Sequence, residues 1–117
     1  MATRVLIVDD HPSFRASARM LLEAEGYDVV GEAEDGRSGL AAARDLRPDV
    51  VLLDIQLPDI DGFQVAGELT ANGQRSAVVL VSSRAREDLC GRVESSGARG
   101  FIPKSELSGA ALEALIS

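Results

Sequence analysis

The chain has 117 residues, 45% of them hydrophobic, which suits one folded domain with a real core. Its net charge of -7 argues against the domain itself holding DNA or RNA, since phosphate contacts need a basic surface. A lone cysteine, Cys90, cannot form an internal disulfide. With no signal peptide at the start and no apolar run near the roughly 18 residues of a membrane span, this points to the cytoplasm and away from membranes.

Val5-Leu6-Ile7-Val8 is an unbroken apolar run, stopped by Asp9-Asp10. Runs without alternation read as strands covered on both faces, as in parallel sheets. Pro12 suits the first turn of a following helix with Phe14, Ala18, Leu21 and Leu22 on one face, and Gly26 suits its end. Asp28 to Ala33 predicts a weaker strand with Val29-Val30 as its core pair; its polar flanks place it at a sheet edge. Asp35 is a plausible N-cap for a second helix, with Leu40, Ala43 and Leu46 inward, that stops before Pro48.

Val50-Val51-Leu52-Leu53 repeats the first pattern and ends at Asp54. Asp61 is expected to cap a third helix carrying Phe63, Ala66 and Leu69 inward. Val78-Val79-Leu80-Val81 forms another buried run, ending at Ser82-Ser83. A fourth helix is expected from Arg86 to Ser95, with Leu89 and Val93 inward and Gly97 as terminator. Gly100-Phe101-Ile102 makes a short fifth strand leading to Pro103-Lys104, and Ser108 caps a fifth helix with Leu112, Leu115 and Ile116 on its apolar side. Strand and helix alternating five times with short connections imply one parallel sheet with right-handed crossovers.

Ligands in open parallel sheets bind beyond the carboxyl ends of the strands. The residues standing there are Asp9 and Asp10, Asp54, Ser82 and Lys104. Three carboxylates converging in one crevice repel each other unless a cation is present. Hard oxygen ligands describe a Mg²⁺ site, which with a nearby ammonium can accept a phosphoryl group. Each aspartate alone could be an ordinary turn former or cap. The chain holds eleven arginines and a single lysine, Lys104, and a compact ammonium fits a small site that a guanidinium would overfill. His11 could be a metal ligand beside two aspartates, although a lone histidine leading into a helix reads more simply as a surface residue at the helix start.

Val-Asp-Asp at 8 to 10, Leu-Leu-Asp-Ile-Gln-Leu-Pro at 52 to 58, Asp-Gly at 61 to 62, Val-Ser-Ser at 81 to 83 and Gly-Phe-Ile-Pro-Lys at 100 to 104 together resemble a bacterial response-regulator receiver domain. His11-Pro12 and the Gly-Phe-Ile-Pro-Lys-Ser wording look most like receivers fused to helix-turn-helix output domains of the LuxR/NarL type. The resemblance covers essentially all of residues 1–117. It implies a (βα)5 flavodoxin-like fold with strand order 2-1-3-4-5, and no output domain within this chain.

The resemblance further implies that Asp54 takes a phosphoryl group from a sensor histidine kinase. Asp10, Asp54 and the Gln56 backbone carbonyl would hold Mg²⁺ directly, and Asp9 through water; Mn²⁺ could substitute. Lys104 would pair with the phosphoryl oxygens and Ser82 would hydrogen-bond another. Phe101 would be the switch aromatic that turns inward, its alternative being plain core packing. The surface around the fourth helix, fifth strand and fifth helix would then control an output, DNA binding and transcription. Gln56, Ser83 and Arg84 would set the phosphoryl lifetime. Homodimerisation would use the first and fifth helices or the fourth helix and fifth strand, between which the sequence does not choose. In this reading the domain is no enzyme beyond its own phosphotransfer and dephosphorylation.

Lys104 is followed by Ser105 where many receivers have proline, which leaves the cis or trans state of that bond open. Among other readings, a phosphohydrolase of the haloacid dehalogenase type would need Asp-x-Asp after the first strand, where this chain has adjacent aspartates. A degenerate receiver would lack part of the five-residue set. A dinucleotide-binding domain would show a glycine-rich turn after the first strand, and none is present.

Overall fold

The computed structural model describes residues 2–71, 76–83 and 92–116. In chain order these form β1 (Arg4–Val8), α1 (Pro12–Ala24), β2 (Asp28–Ala33), α2 (Gly36–Leu46), β3 (Val50–Asp54), α3 (Gly62–Ala71), β4 (Ala77–Ser82), α4 (Arg92–Ser95), β5 (Gly100–Pro103) and α5 (Gly109–Ile116). A short 3-10 turn, Lys104–Glu106, separates β5 from α5. Arg84, Cys90, Leu89 and most of the helix expected over Arg86–Ser95 lie outside the described residues.

All strand pairings are parallel and the order is β2-β1-β3-β4-β5. The chain leaves β1 for the β2 edge, then returns to build β3, β4 and β5 on the other side. This reversal opens a crevice between the carboxyl ends of β1 and β3, where open α/β sheets bind ligands.

The apolar runs divide between two faces, because side chains alternate along a strand. Leu6, Val8, Val51, Leu53, Val78 and Leu80 pack with Ala43, Phe63, Ala66 and Leu69 beneath α2 and α3. Val5, Ile7, Val50, Leu52, Val79 and Val81 pack with Ala18, Leu22 and Leu112 beneath α1 and α5. Each central strand is therefore apolar on both faces up to its carboxyl end, where Asp54 and Ser82 close β3 and β4. Val93 of α4 joins the first of these cores.

The expected caps are in place. Asp35 accepts from Ser38 N at 2.8 Å and completes a capping box with the Ser38 side chain. Asp61 Oδ1 accepts from Phe63 N at 2.6 Å, and Ser108 Oγ from Ala111 N at 3.0 Å. Gly26 follows α1 with a φ of +94°, the left-handed backbone that glycine adopts without strain. The β2 expectation needs one correction. Register shifts between Val5 and Leu6, pairing Val5 with Val29 and Leu6 with Gly31, so Val30 is the extra residue of a bulge. Val29 is buried and Val30 only half-buried, so they do not form a core pair. Among the described residues no peptide bond is cis, so Lys104–Ser105 is trans.

Candidate functional site

Asp9 and Asp10 leave the end of β1, Asp54 is the last residue of β3, Ser82 the last of β4, and Lys104 begins the turn after β5. Asp9 and Ser82 are fully buried and Asp54 is 2% exposed. Lys104 reaches across the strand ends, with Nζ 2.7 Å from Asp9 Oδ2 and 3.4 Å from Asp54 Oδ2. The ring of Phe14 on α1 lies beneath that ammonium, 4.5 Å from Nζ to the ring centroid, a cation–π contact that fixes the tip of the chain. Gln56 N donates to the other oxygen of Asp54, Oδ1, at 3.1 Å.

The charges in this crevice are not balanced. Burial pushes the Asp54 carboxyl up first and the neighbouring Asp9 adds to it; the Gln56 N–H and Lys104 pull the other way without cancelling them, leaving Asp54 at about 6. Two buried carboxylate oxygens, Asp9 Oδ2 and Asp10 Oδ1, accept no hydrogen bond. What faces them, without an aligned donor, is the Lys104 ammonium at 2.7 Å from Asp9 Oδ2 and the His11 ring nitrogen Nδ1 at 3.1 Å from Asp10 Oδ1. One ammonium set against three carboxylates leaves the cluster anionic. Asp9, Asp10, His11 and Asp54 each bring a ligand atom within 4.8 Å of the others. Underbonded hard oxygens at this spacing fit a divalent cation such as Mg²⁺.

The family model for the response regulator receiver domain matches residues 5–116. This chain belongs to the response-regulator receiver family. It is 40% identical over 106 residues to the virulence-factor transcription regulator BvgA of Bordetella pertussis, covering 91% of this chain and 51% of that protein. The chain thus spans about half the length of that relative. Among solved structures it is similar to the receiver domain of the response regulator NarL from Mycobacterium tuberculosis, with a TM-score of 0.86, 34% identity, and 97% and 96% of the two chains covered. A second similar structure is the CheX–CheY–BeF3–Mg²⁺ complex from Borrelia burgdorferi, at TM-score 0.85 and 26% identity, covering 97% of this chain and 86% of that one. Receiver domains bind Mg²⁺ at an acidic pocket, and in this receiver Asp9, Asp10 and Asp54 make one. The flavodoxin-like strand order expected of the family is the order observed.

Four of the residues expected at the site, Asp9, Asp10, Asp54 and Lys104, are joined by short contacts or a shared cluster. Ser82 pairs in register with Pro103, one strand away from Asp54. Phe101 is 5% exposed and packs in the core beneath α2 and α3. Ser83 is exposed beside Ser82, and Arg84 lies outside the described residues.

Two further groups reach the site. His11 is the N-cap position of α1, as a residue at the helix start should be. Although it is largely exposed, its Nδ1 sits 3.1 Å from both Asp9 Oδ1 and Asp10 Oδ1. Arg15, one turn into α1, donates from Nη1 to the Asp9 carbonyl at 2.6 Å. Its spacing of four after His11 was the only sequence signal for it. A separate cleft opens at the opposite, amino ends of the strands, lined by Thr3, Tyr27, Asp49, Arg99 and Glu113; it shares no residue with the acidic cluster. Among the described residues no helix is long and apolar enough to cross a membrane.

Proposed function

We propose that this receiver is a phosphorylation switch in a two-component system, with Asp54 as phospho-acceptor. One observation carries the reading: a buried carboxylate at the switch point of the sheet shares the Lys104 ammonium with Asp9 inside an anionic cluster. An Asp54 oxygen would attack the phosphorus of a phosphohistidine, forming an O–P bond as the N–P bond breaks and the imidazole leaves with the electron pair. With a pKa of about 6, Asp54 is mostly ionised at neutral pH and so is available as a nucleophile.

Mg²⁺, when bound, would neutralise the carboxylates and the phosphoryl oxygens together. Asp10, Asp54 and the Gln56 carbonyl would hold it directly and Asp9 through water, with Mn²⁺ able to take its place. Lys104 would exchange its Asp54 contact for a phosphoryl oxygen, and the Ser82 hydroxyl would turn to another. Phe101 is already buried in the core, so movement at Ser82 would be passed on by repacking around that ring instead of by an inward turn. It would alter the surface around α4, β5 and α5, a two-state element biased by new charge-assisted bonds.

The donor would be a sensor histidine kinase. The named activity of BvgA supports an output in transcription, carried by a helix-turn-helix domain beyond this receiver. The net charge of -7 keeps the receiver itself off nucleic acid. A cytoplasmic setting and homodimerisation belong to the same reading.

Incubation with Mg²⁺ and acetyl phosphate should add one phosphoryl mass to the parent chain. Asp54→Asn, or parent protein with the divalent cation chelated, should gain none. A phosphorylated Asp54→Asn variant would move the acceptor elsewhere. Rapid multiple turnover of phosphate esters would make the protein an enzyme instead.

The phosphorylated state should also be fairly long-lived, because the exposed Ser83 hydroxymethyl group stands beside the path of attacking water. Ser83→Gly is expected to shorten the phosphoryl half-life a few-fold and Ser83→Leu to lengthen it. A shorter half-life in Ser83→Leu would refute this role.

A further inference from the structure

The loop between β3 and α3 carries Gln56 near one end and Asp61-Gly62 at the other, and its middle is fastened to a different element. Asp59 Oδ1 accepts from Gly36 N at 2.7 Å and from Ile60 N at 2.8 Å, while Oδ2 accepts from Arg37 N at 2.9 Å. Gly36 and Arg37 open α2. A helix leaves its first N–H groups without intrahelical partners, and α2 shares them between two aspartates. Asp59 takes those of Gly36 and Arg37. The Asp35 side chain takes that of Ser38, at 2.8 Å, and the intrahelical ladder then begins with Gly39 N on the Asp35 carbonyl, at 3.0 Å. Against a desolvation penalty, the N–H groups of Arg37, Gly36 and Ile60 hold the Asp59 carboxyl below the ordinary aspartate value.

Packing reinforces the tie. A Cβ on Gly36 would run into Ile60 Cγ1 and lie 2.8 Å from Ile60 Cδ1, so glycine at 36 lets Ile60 seat against the start of α2. Ile60 and Leu57 both pack on the core beneath α2 and α3. Gly62 N closes the far end of the loop on Ile55 O at 2.8 Å.

We propose that Asp59 is a positioning residue for the cation site: by latching this loop to the amino end of α2, it holds the Gln56 backbone so that its carbonyl can face the acidic cluster. This rests on the phospho-acceptor reading above. Asp59 lies outside the acidic cluster and acts only through the loop. A loop freed from α2 spreads the Gln56 carbonyl over several orientations, and apparent affinity falls with the fraction of time it is aligned.

Mg²⁺ titrations of the whole chain, followed through backbone amide resonances, test this. Asp59→Ala should weaken Mg²⁺ binding by about three- to tenfold, at or below the low end of the cost of losing a direct outer-shell partner. Asp59→Asn keeps one oxygen for Gly36 and Ile60 and should stay within about twofold of the parent. Asp35→Ala loosens the same helix end without touching the loop and should bind as the parent does.

Parent-like affinity in Asp59→Ala would overturn the latch. So would an equal loss in Asp35→Ala, because the effect would then belong to a loosened α2. A parent chain that binds no Mg²⁺ at all would overturn the phospho-acceptor reading and the latch together, an outcome distinct from a failure confined to Asp59→Ala.

Discussion

Replacing Asp54 with asparagine should make the metal-free protein more stable at pH 7.5, by about 1–2 kcal/mol, or roughly 5–10 °C in melting temperature. The cause is that the folded protein holds Asp54 at about 6, against 3.8 for an ordinary aspartate. Between these values the unfolded chain has released a proton that the folded chain keeps. Stability therefore falls as pH rises through this window, and the full penalty of an ionised Asp54 is present above it. The ceiling on that penalty is about 3 kcal/mol, from holding the carboxyl at about 6 instead of 3.8. Asparagine recovers less, because its amide would meet the Lys104 ammonium, which stands 3.4 Å from Asp54 Oδ2. Urea melts of parent and variant in chelator should diverge from about pH 4 upward and run parallel above pH 6.5. Mg²⁺ should narrow the gap by stabilising the parent. A variant less stable than the parent at pH 7.5, or a difference that ignores pH, would refute the account.

That strain at Asp54 is the part of the site the sequence announces most clearly. Short continuous apolar runs bounded by polar residues read as strands buried on both faces, so their ends are easy to find, and Asp9, Asp54, Ser82 and Lys104 stand at those ends. The helix caps Asp35, Asp61 and Ser108 were legible because capping is a local pattern within four residues. What stayed hidden depends on distance in sequence or on side-chain rotamers. Asp59 bonds to N–H groups 22 and 23 residues away, and in its own neighbourhood it looks like one more turn former. For His11 the sequence offered two readings, metal ligand and helix start, and only the tertiary structure puts its Nδ1 3.1 Å from both Asp9 Oδ1 and Asp10 Oδ1. The bulge at Val30 reflects pairing with β1, and Gly31 beside it is its one local sign. The site is therefore readable as a set of strand ends, while the contacts that orient it are tertiary.

Gly62→Ala should destabilise the fold by about 3 kcal/mol or more, toward the severe end for an added methyl group. Gly62 opens α3 directly under the end of β3. A Cβ there would strike the Asp54 carbonyl oxygen and lie 2.6 Å from Ile55 Cα and 2.9 Å from Ile55 O. All three are backbone atoms, so no side chain can swing aside. The start of α3 would have to withdraw from the strand, pulling on Phe63, Val65, Ala66 and Leu69, all of them buried. Gly67 in the same helix is the contrast, since a Cβ there meets nothing within 4 Å. Gly67→Ala should gain roughly 0.5–1 kcal/mol from helix propensity alone. Opposite signs in urea denaturation would separate close approach from propensity, and a loss below about 1 kcal/mol for Gly62→Ala would show that the strand end can yield. Because the atom that is struck is the carbonyl of Asp54 itself, Gly62→Ala should also slow phosphorylation by acetyl phosphate under conditions where the variant is still folded. The pressure for glycine after Asp61 is thus exerted by the backbone at the end of β3, not by any turn.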